Sequence, residues 1–203
     1  MSADEPRIAP GGRREIGLLN TVIVRGAGAV IGREAPHVFT TLARHRGLFR
    51  RWLVFAGGLM PSGTLPRDET ELAILRVARN SGCDYEWDHH ERIGRRAGLT
   101  AAEIERVRAE ASPGPEWAPR RALVLRATDA LHADGVIGDA LWAELARAFD
   151  ERELIELCLL VGHYEMLAMT LNSLRVQVDP PPSGETGGLR GRLRVLAGRS
   201  GGR

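Results

Sequence analysis

Glu71 falls on the stripe that a helix would turn toward the core, and that placement constrains the chain more than any other residue in it. Ile74, Leu75 and Ala78 follow at three, four and seven residues, the spacing of one helical face. Ser81-Gly82 then breaks the run. A second helix that begins near Cys83 and is closed by Gly98 as a C-terminal cap carries Cys83, Glu86, Trp87, His90 and Gly94 along one face. Two helices packed antiparallel would therefore point a thiol, two carboxylates and an imidazole into one region.

The rest of the chain reads as helical scaffold. Residues Arg13 to Ile31 begin with helical spacing (Ile16, Leu19, Ile23) and dissolve into the glycine-rich RGAGAVIGRE. No strand and no Gly-x-Gly-x-x-Gly accompanies those glycines, which excludes a phosphate-binding loop. Pro36 can open a short helix, and Leu48, Trp52, Phe55 and Leu59 give the next one a core-facing stripe. Thr100 with Glu103, and Asp150 with Glu153, are capping boxes. The second of them starts the longest helix, ELIELCLLVGHYEMLAMTLNSLRV, in which Gly162, Glu156 and Glu165 argue for a buried helix rather than a membrane span. The fold class expected is all-α, with residues 1–178 as one domain. Residues 179–203, rich in Pro, Gly and Arg, are expected to form a disordered tail.

Composition narrows the function classes. At 203 residues and 43% hydrophobic, the chain can bury one good core. The N-terminus has no basic start followed by an apolar stretch, so a cytoplasmic location is expected. Two cysteines far apart in sequence fit a reducing compartment and free thiols. A net charge of +2, with five arginines in the tail, leaves a nearly neutral body and no nucleic-acid footprint. All 28 basic residues are arginine, which excludes Schiff-base catalysis by lysine. No motif for nicotinamide, flavin, haem or pyridoxal phosphate is present, so no cofactor is expected.

Each candidate residue has a structural reading beside the chemical one. Glu71 can be a carboxylate satisfied by backbone or arginine, or a proton relay. Cys83 sits near a helix N-terminus, where dipole and free amides favour thiolate. It can equally be a small buried hydrophobe. His89 projects roughly 100 degrees from His90 on a helix, which assigns it a surface or supporting role. Tyr85, Trp87, His163 and Tyr164 read first as packing residues. Tyr164 stands out among them because a phenol in a long apolar helix needs a partner. Cys83, Glu86 and His90 are metal-ligand types, but no fourth ligand presents itself and no metal is expected.

The runs E-L-x-I-L-R-V-A-R, C-x-Y-E-W-x-x-H and A-G-L-T resemble the carboxymuconolactone decarboxylase and alkylhydroperoxidase D superfamily. The peroxidase branch has a glutamate and then Cys-x-x-Cys-x-x-x-His, and Glu71, Cys83, Glu86 and His90 fall on those four positions. Glu86 replaces the second cysteine, which removes the disulfide cycle. A looser likeness spans residues 6 to 178. The resemblance implies a helical fold of the alkylhydroperoxidase D type, a small-molecule substrate, and assembly as a homo-oligomer, trimer or hexamer. Glu71, Cys83, Glu86 and His90 are then the catalytic candidates, with Tyr164, His89 and Trp87 around them. One function is acid/base chemistry on an activated carbonyl compound: decarboxylation, elimination or isomerisation. The alternatives are an alkylhydroperoxidase or peroxiredoxin-type antioxidant enzyme using Cys83, and a non-catalytic oligomeric scaffold.

Overall fold

The computed structural model describes residues 5–30, 35–60 and 62–180. Among them the chain is all-α: α1 (Arg13–Val30), α2 (His37–Leu42), α3 (Arg46–Leu59), α4 (Arg67–Asn80), α5 (Asp84–Ala97), α6 (Ala101–Ala109), α7 (Pro119–Asp134), α8 (Asp139–Ala148) and α9 (Glu151–Leu174).

α4 is the axis. Glu69 through Ala78 are all buried, as expected for a helix enclosed on every side, here by α5, α6, α7 and α9. Its buried charges are each paired. Arg76, 1% exposed, meets both oxygens of Asp129 at 2.6 and 2.7 Å and the carbonyls of Glu110 and Ala111 at 2.7 Å. Glu69 accepts from Arg120 at 2.8 Å, and Arg120 also reaches Glu153 at 2.5 Å, which ties the starts of α4, α7 and α9 together.

α4 and α5 form the antiparallel hairpin expected from the sequence. A Cβ on Gly94, near the end of α5, would lie 3.5 Å from Leu75 and 3.6 Å from the Glu71 Cβ near the start of α4. Across the hairpin those are ordinary contact distances, and the tight neighbour is Leu99, just past the Gly98 cap, at 3.1 Å. Gly98 closes α5 in the left-handed conformation (φ 108°). Both capping boxes are formed, at Thr100/Glu103 and Asp150/Glu153. The loop before α4 is held from across the core, since Thr64 and Leu65 N–H donate to the buried Glu156 of α9 at 2.5 and 3.2 Å.

Two helices depart from the sequence reading. α1 does not dissolve at its glycines but continues to Val30, with a kink at Gly17 (φ 81°, ψ 161°). Ile16 of α1 is buried while Leu19 is 61% exposed, because only one flank of α1 reaches α2 and α3. α3 buries Phe49 and Leu59, whereas Leu48 and Phe55 are exposed. The cause is that α3 packs on α1, α2 and α9 rather than in the centre. α9 is long and apolar enough by length and composition to cross a membrane. One face of it is core, as Leu157, Leu160, Val161 and Ala168 are at most 1% exposed.

Candidate active site

A cavity of about 260 Å³ opens between α3, α5 and α9, with Val38 and Phe39 of α2 and Ala27 of α1 at its edge. Its walls are mostly apolar, including Trp52, Met60, Ile93 and Leu167. Glu86, His89, His90, His163, Tyr85 and Tyr164 supply the polar atoms.

His90 and Glu71 form a dyad. Nδ1 of His90 lies 2.7 Å from Oε2 of Glu71, and Glu71 is fully buried. Arg67, one turn before Glu71 on α4, places Nη2 2.8 Å from Oε1 in an ion pair, without the alignment of a hydrogen bond. A carboxylate on Nδ1 makes that nitrogen the N–H and leaves Nε2 of His90 as the basic nitrogen toward the cavity. The edge of the ring stands against Tyr164, with ring centroids 5.1 Å apart.

Glu86, one helical turn before His90, is the opposite kind of group. It is 2% exposed, and neither carboxyl oxygen has a hydrogen-bond partner. Burial, with the Glu165 charge as a smaller contribution, holds its pKa well above the usual carboxylate value. Burial thus favours the protonated carboxyl, the form that can donate a hydrogen bond into an otherwise apolar cavity.

His89 takes the supporting place expected for it and not the surface one. It is buried beside His90, both at 7% exposed, and both line the cavity. The cavity is wide enough to span two adjacent ladders of α5, Tyr85–His89 on one flank and Glu86–His90 on the other. Tyr85 and His89 stack with centroids 5.7 Å apart. They meet Asp179, whose Oδ2 accepts from the Tyr85 hydroxyl at 2.8 Å and lies 3.7 Å from Nε2 of His89. The backbone N–H of His37 donates to the other oxygen at 2.8 Å. Asp179, the first residue of the expected tail, is thus buried against Tyr85 and His89, two residues of the cavity wall. The disorder expected for residues 181–203 lies outside the described residues.

Trp87 and Cys83 leave the expected face. Trp87 turns toward α6, donates Nε1–H to Glu91 at 3.0 Å and stacks under the Arg108 guanidinium at 4.4 Å. Cys83 is the N-cap of α5, but its side chain is 1% exposed in the main core cluster. Burial, then the Glu86 charge, pushes the thiol up to about 12. At this site desolvation outweighs the helix dipole, and the thiol is no thiolate. Tyr164 does line the cavity. Its hydroxyl donates to Sδ of Met60 at 3.4 Å, and burial keeps it protonated by raising its pKa.

His163 is the site residue that the sequence reading missed. Its ring stacks on Trp52 (5.9 Å) and meets Phe55 and Tyr164 edge-on. Nδ1 is buried without a partner, and burial lowers its pKa to about 4. The available signal was spacing: Leu160, His163, Leu167 and Leu171 share one stripe of α9. Among the described residues no group of three His, Cys, Asp or Glu is arranged to hold a metal ion.

Residues 46–130 match the carboxymuconolactone decarboxylase family. No curated protein matches the chain significantly. Among solved structures, the alkylhydroperoxidase AhpD core of an uncharacterized peroxidase-related protein from Ralstonia eutropha JMP134 superposes with TM-score 0.73 at 17% identity, covering 85% of this chain and 93% of that one. The debrominase Bmp8, in a complex with 2,3,4-tribromopyrrole, gives TM-score 0.73 at 15% identity over 87% and 94% of the two chains. An uncharacterized peroxidase-related protein from Silicibacter sp. TM1040 gives 0.71 at 14% identity over 91% and 98%.

Proposed function

We propose that this chain, which matches the carboxymuconolactone decarboxylase family over residues 46–130 and shares its fold with alkylhydroperoxidase D-like structures, is a small-molecule enzyme whose chemistry is proton transfer on an activated carbonyl compound. The observation that carries this reading is the pairing, on one cavity, of a carboxylate-oriented His90 with a Glu86 that is buried without a hydrogen-bond partner and whose pKa burial raises. An imidazole oriented by a carboxylate can act as the base, and a carboxyl whose proton burial favours can act as the acid.

In the reaction, Nε2 of His90 takes a proton from the carbon next to the carbonyl. The C–H electron pair becomes a C=C bond, the carbonyl π pair moves to oxygen, and that oxygen takes the proton of Glu86. Where the substrate carries a C=C bond between its β and γ carbons, the enol is a dienol. The oxygen proton goes back to Glu86, the C=O re-forms, and the new double bond settles between the α and β carbons. The γ carbon takes the His90 proton, which completes an isomerisation without any further reactant. Glu71, held by Arg67, keeps His90 in the required tautomer and stabilises the imidazolium.

The test is exchange of α-protons in D₂O, followed by proton NMR over a panel of small ketones and lactones. Glu86→Gln and His90→Ala should each slow exchange on the order of a hundredfold or more. The double variant should be scarcely worse than either, and Cys83→Ala should change little. Wild-type exchange in both single variants refutes the reading.

A second reading, hydroperoxide reduction through Cys83, has the peroxidase-related structural neighbours in its favour. Against it stand the buried thiol raised to about 12 and Glu86 where that branch has its second cysteine. It requires Cys83→Ala to abolish activity while Glu86→Gln is tolerated.

We further propose that the protein works as a homo-oligomer. Ile155, Leu159, Met166 and Met169 make an exposed apolar stripe along α9, and Leu18, Leu19 and Val22 another on α1, more than scattered surface apolar residues account for.

A further inference from the structure

Three properties of the cavity bear on what it accepts. First, none of its described lining residues is an arginine, and the chain has no lysine. Arg67, the arginine beside the dyad, already pairs with Glu71 at 2.8 Å. An anion entering here would lose its water and meet the Glu86 carboxyl, with the Glu71 charge behind His90 and no arginine or lysine among the described lining residues to replace the solvation. Second, the charge of Glu71 is already met by Arg67 and His90. A cation would find no unpaired carboxylate unless Glu86 ionised in surroundings that oppose it. Third, among the described lining residues the buried polar atoms without a hydrogen-bond partner include both oxygens of Glu86, Nδ1 of His163 and Nε1 of Trp52. Buried polar atoms left unsatisfied in this way call for a partner.

We infer that the cavity is built for an uncharged, ring-sized molecule whose hydrogen-bond acceptor takes the Glu86 carboxyl proton, with His163 as its second polar contact. This inference rests on the reading of the cavity as the substrate site and narrows it. A decarboxylation presents a carboxylate to this site, whereas isomerisation or elimination of a neutral ketone, lactone or enone does not. A volume of about 260 Å³ holds one six-membered ring with a small substituent, and Trp52 and Phe39 supply flat apolar walls.

The experiment uses three probes of one shape and three charges: benzoate, benzamide and benzamidinium. Each is titrated into the full-length protein at neutral pH by calorimetry. Benzamide should bind about tenfold or more tighter than either ion. Benzoate should gain affinity as the pH is lowered toward its own protonation, where it becomes the neutral acid. Glu86→Gln keeps a donor and should hold benzamide within about threefold. Glu86→Met should weaken it about tenfold, and His163→Phe about three- to tenfold, the range for one hydrogen bond. Circular dichroism on each variant confirms that the helices are intact.

Equal or tighter binding of benzoate or benzamidinium overturns the inference, as does no binding of any probe at millimolar concentration. Unchanged benzamide affinity in both Glu86→Met and His163→Phe overturns the assigned contacts. Because binding is read without turnover, the two readings fail separately. An ionic preference sinks this inference alone, while wild-type proton exchange in Glu86→Gln and His90→Ala sinks the proton-transfer reading alone.

Discussion

Replacing Glu86 by methionine should make the protein more stable while removing its acid. The two carboxyl oxygens are buried without partners, and a buried unsatisfied polar group costs about 1–3 kcal/mol. Methionine has similar length, presents no polar atom and suits an irregular apolar wall. For a domain of this size each kcal/mol moves Tm by about 2–4 °C, so the variant should melt about 2 to 12 °C higher. The gain must also depend on pH. The folded-state pKa of Glu86 is raised above the usual 4.5, so below 4.5 the group is protonated in both states and the full stability is present. As pH rises from 4.5 toward the raised folded value, the unfolded chain releases a proton that the folded chain keeps, and stability is lost. Wild type and variant should therefore diverge more at about pH 8 than at about pH 5. Thermal unfolding followed by circular dichroism at both pH values reads the effect. A variant that melts lower than wild type, or by the same increment at both pH values, refutes the reasoning.

His163 should act from the other side of the pH scale. Its pKa falls from 6.5 to about 4 on folding, so between those values the unfolded chain binds the extra proton and stability drops as pH falls. His163→Phe should remove that acid-side loss, measured as the urea midpoint at about pH 7 and about pH 5, and an unchanged slope counts against it. A maleimide should label Cys158, which is half-buried, and leave the fully buried Cys83 until the protein is denatured, reversing the order expected from the helix N-terminus; peptide mapping that finds Cys83 modified first refutes its burial. Light scattering should give a trimer or hexamer mass, and Met169→Glu on the exposed stripe of α9 should lower it; a monomer in wild type removes the oligomer proposal.

What was legible in the sequence was local. Both capping boxes, the Gly98 cap and the α4–α5 hairpin are decided within a few residues, and so was the register that brings Glu71 to His90. Arg67 was also within reach, because it is an i, i+4 partner of Glu71 on one helix. The failures are questions of what lies opposite. Cys83 has the local position of an activated thiol, yet the core above it sets its proton affinity. His89 was separated from His90 by the angle between neighbours on a helix, which ignores a cavity wide enough to reach both. His163 and Asp179 depend on α3 and on the segment after α9, which no local pattern brings to the α5 wall.

Asp179 gives that wall an owner outside the family match. Residues 46–130 carry the match, yet one flank of the cavity, Tyr85 and His89, is fastened by a carboxylate that arrives only five residues after α9 ends at Leu174. The boundary of the domain by sequence likeness and its boundary by wiring are therefore different places. A protein trimmed to the first would keep Glu71, Cys83, Glu86 and His90 but lose α9 with His163 and Tyr164, and with it the Asp179 carboxylate that holds Tyr85 and His89.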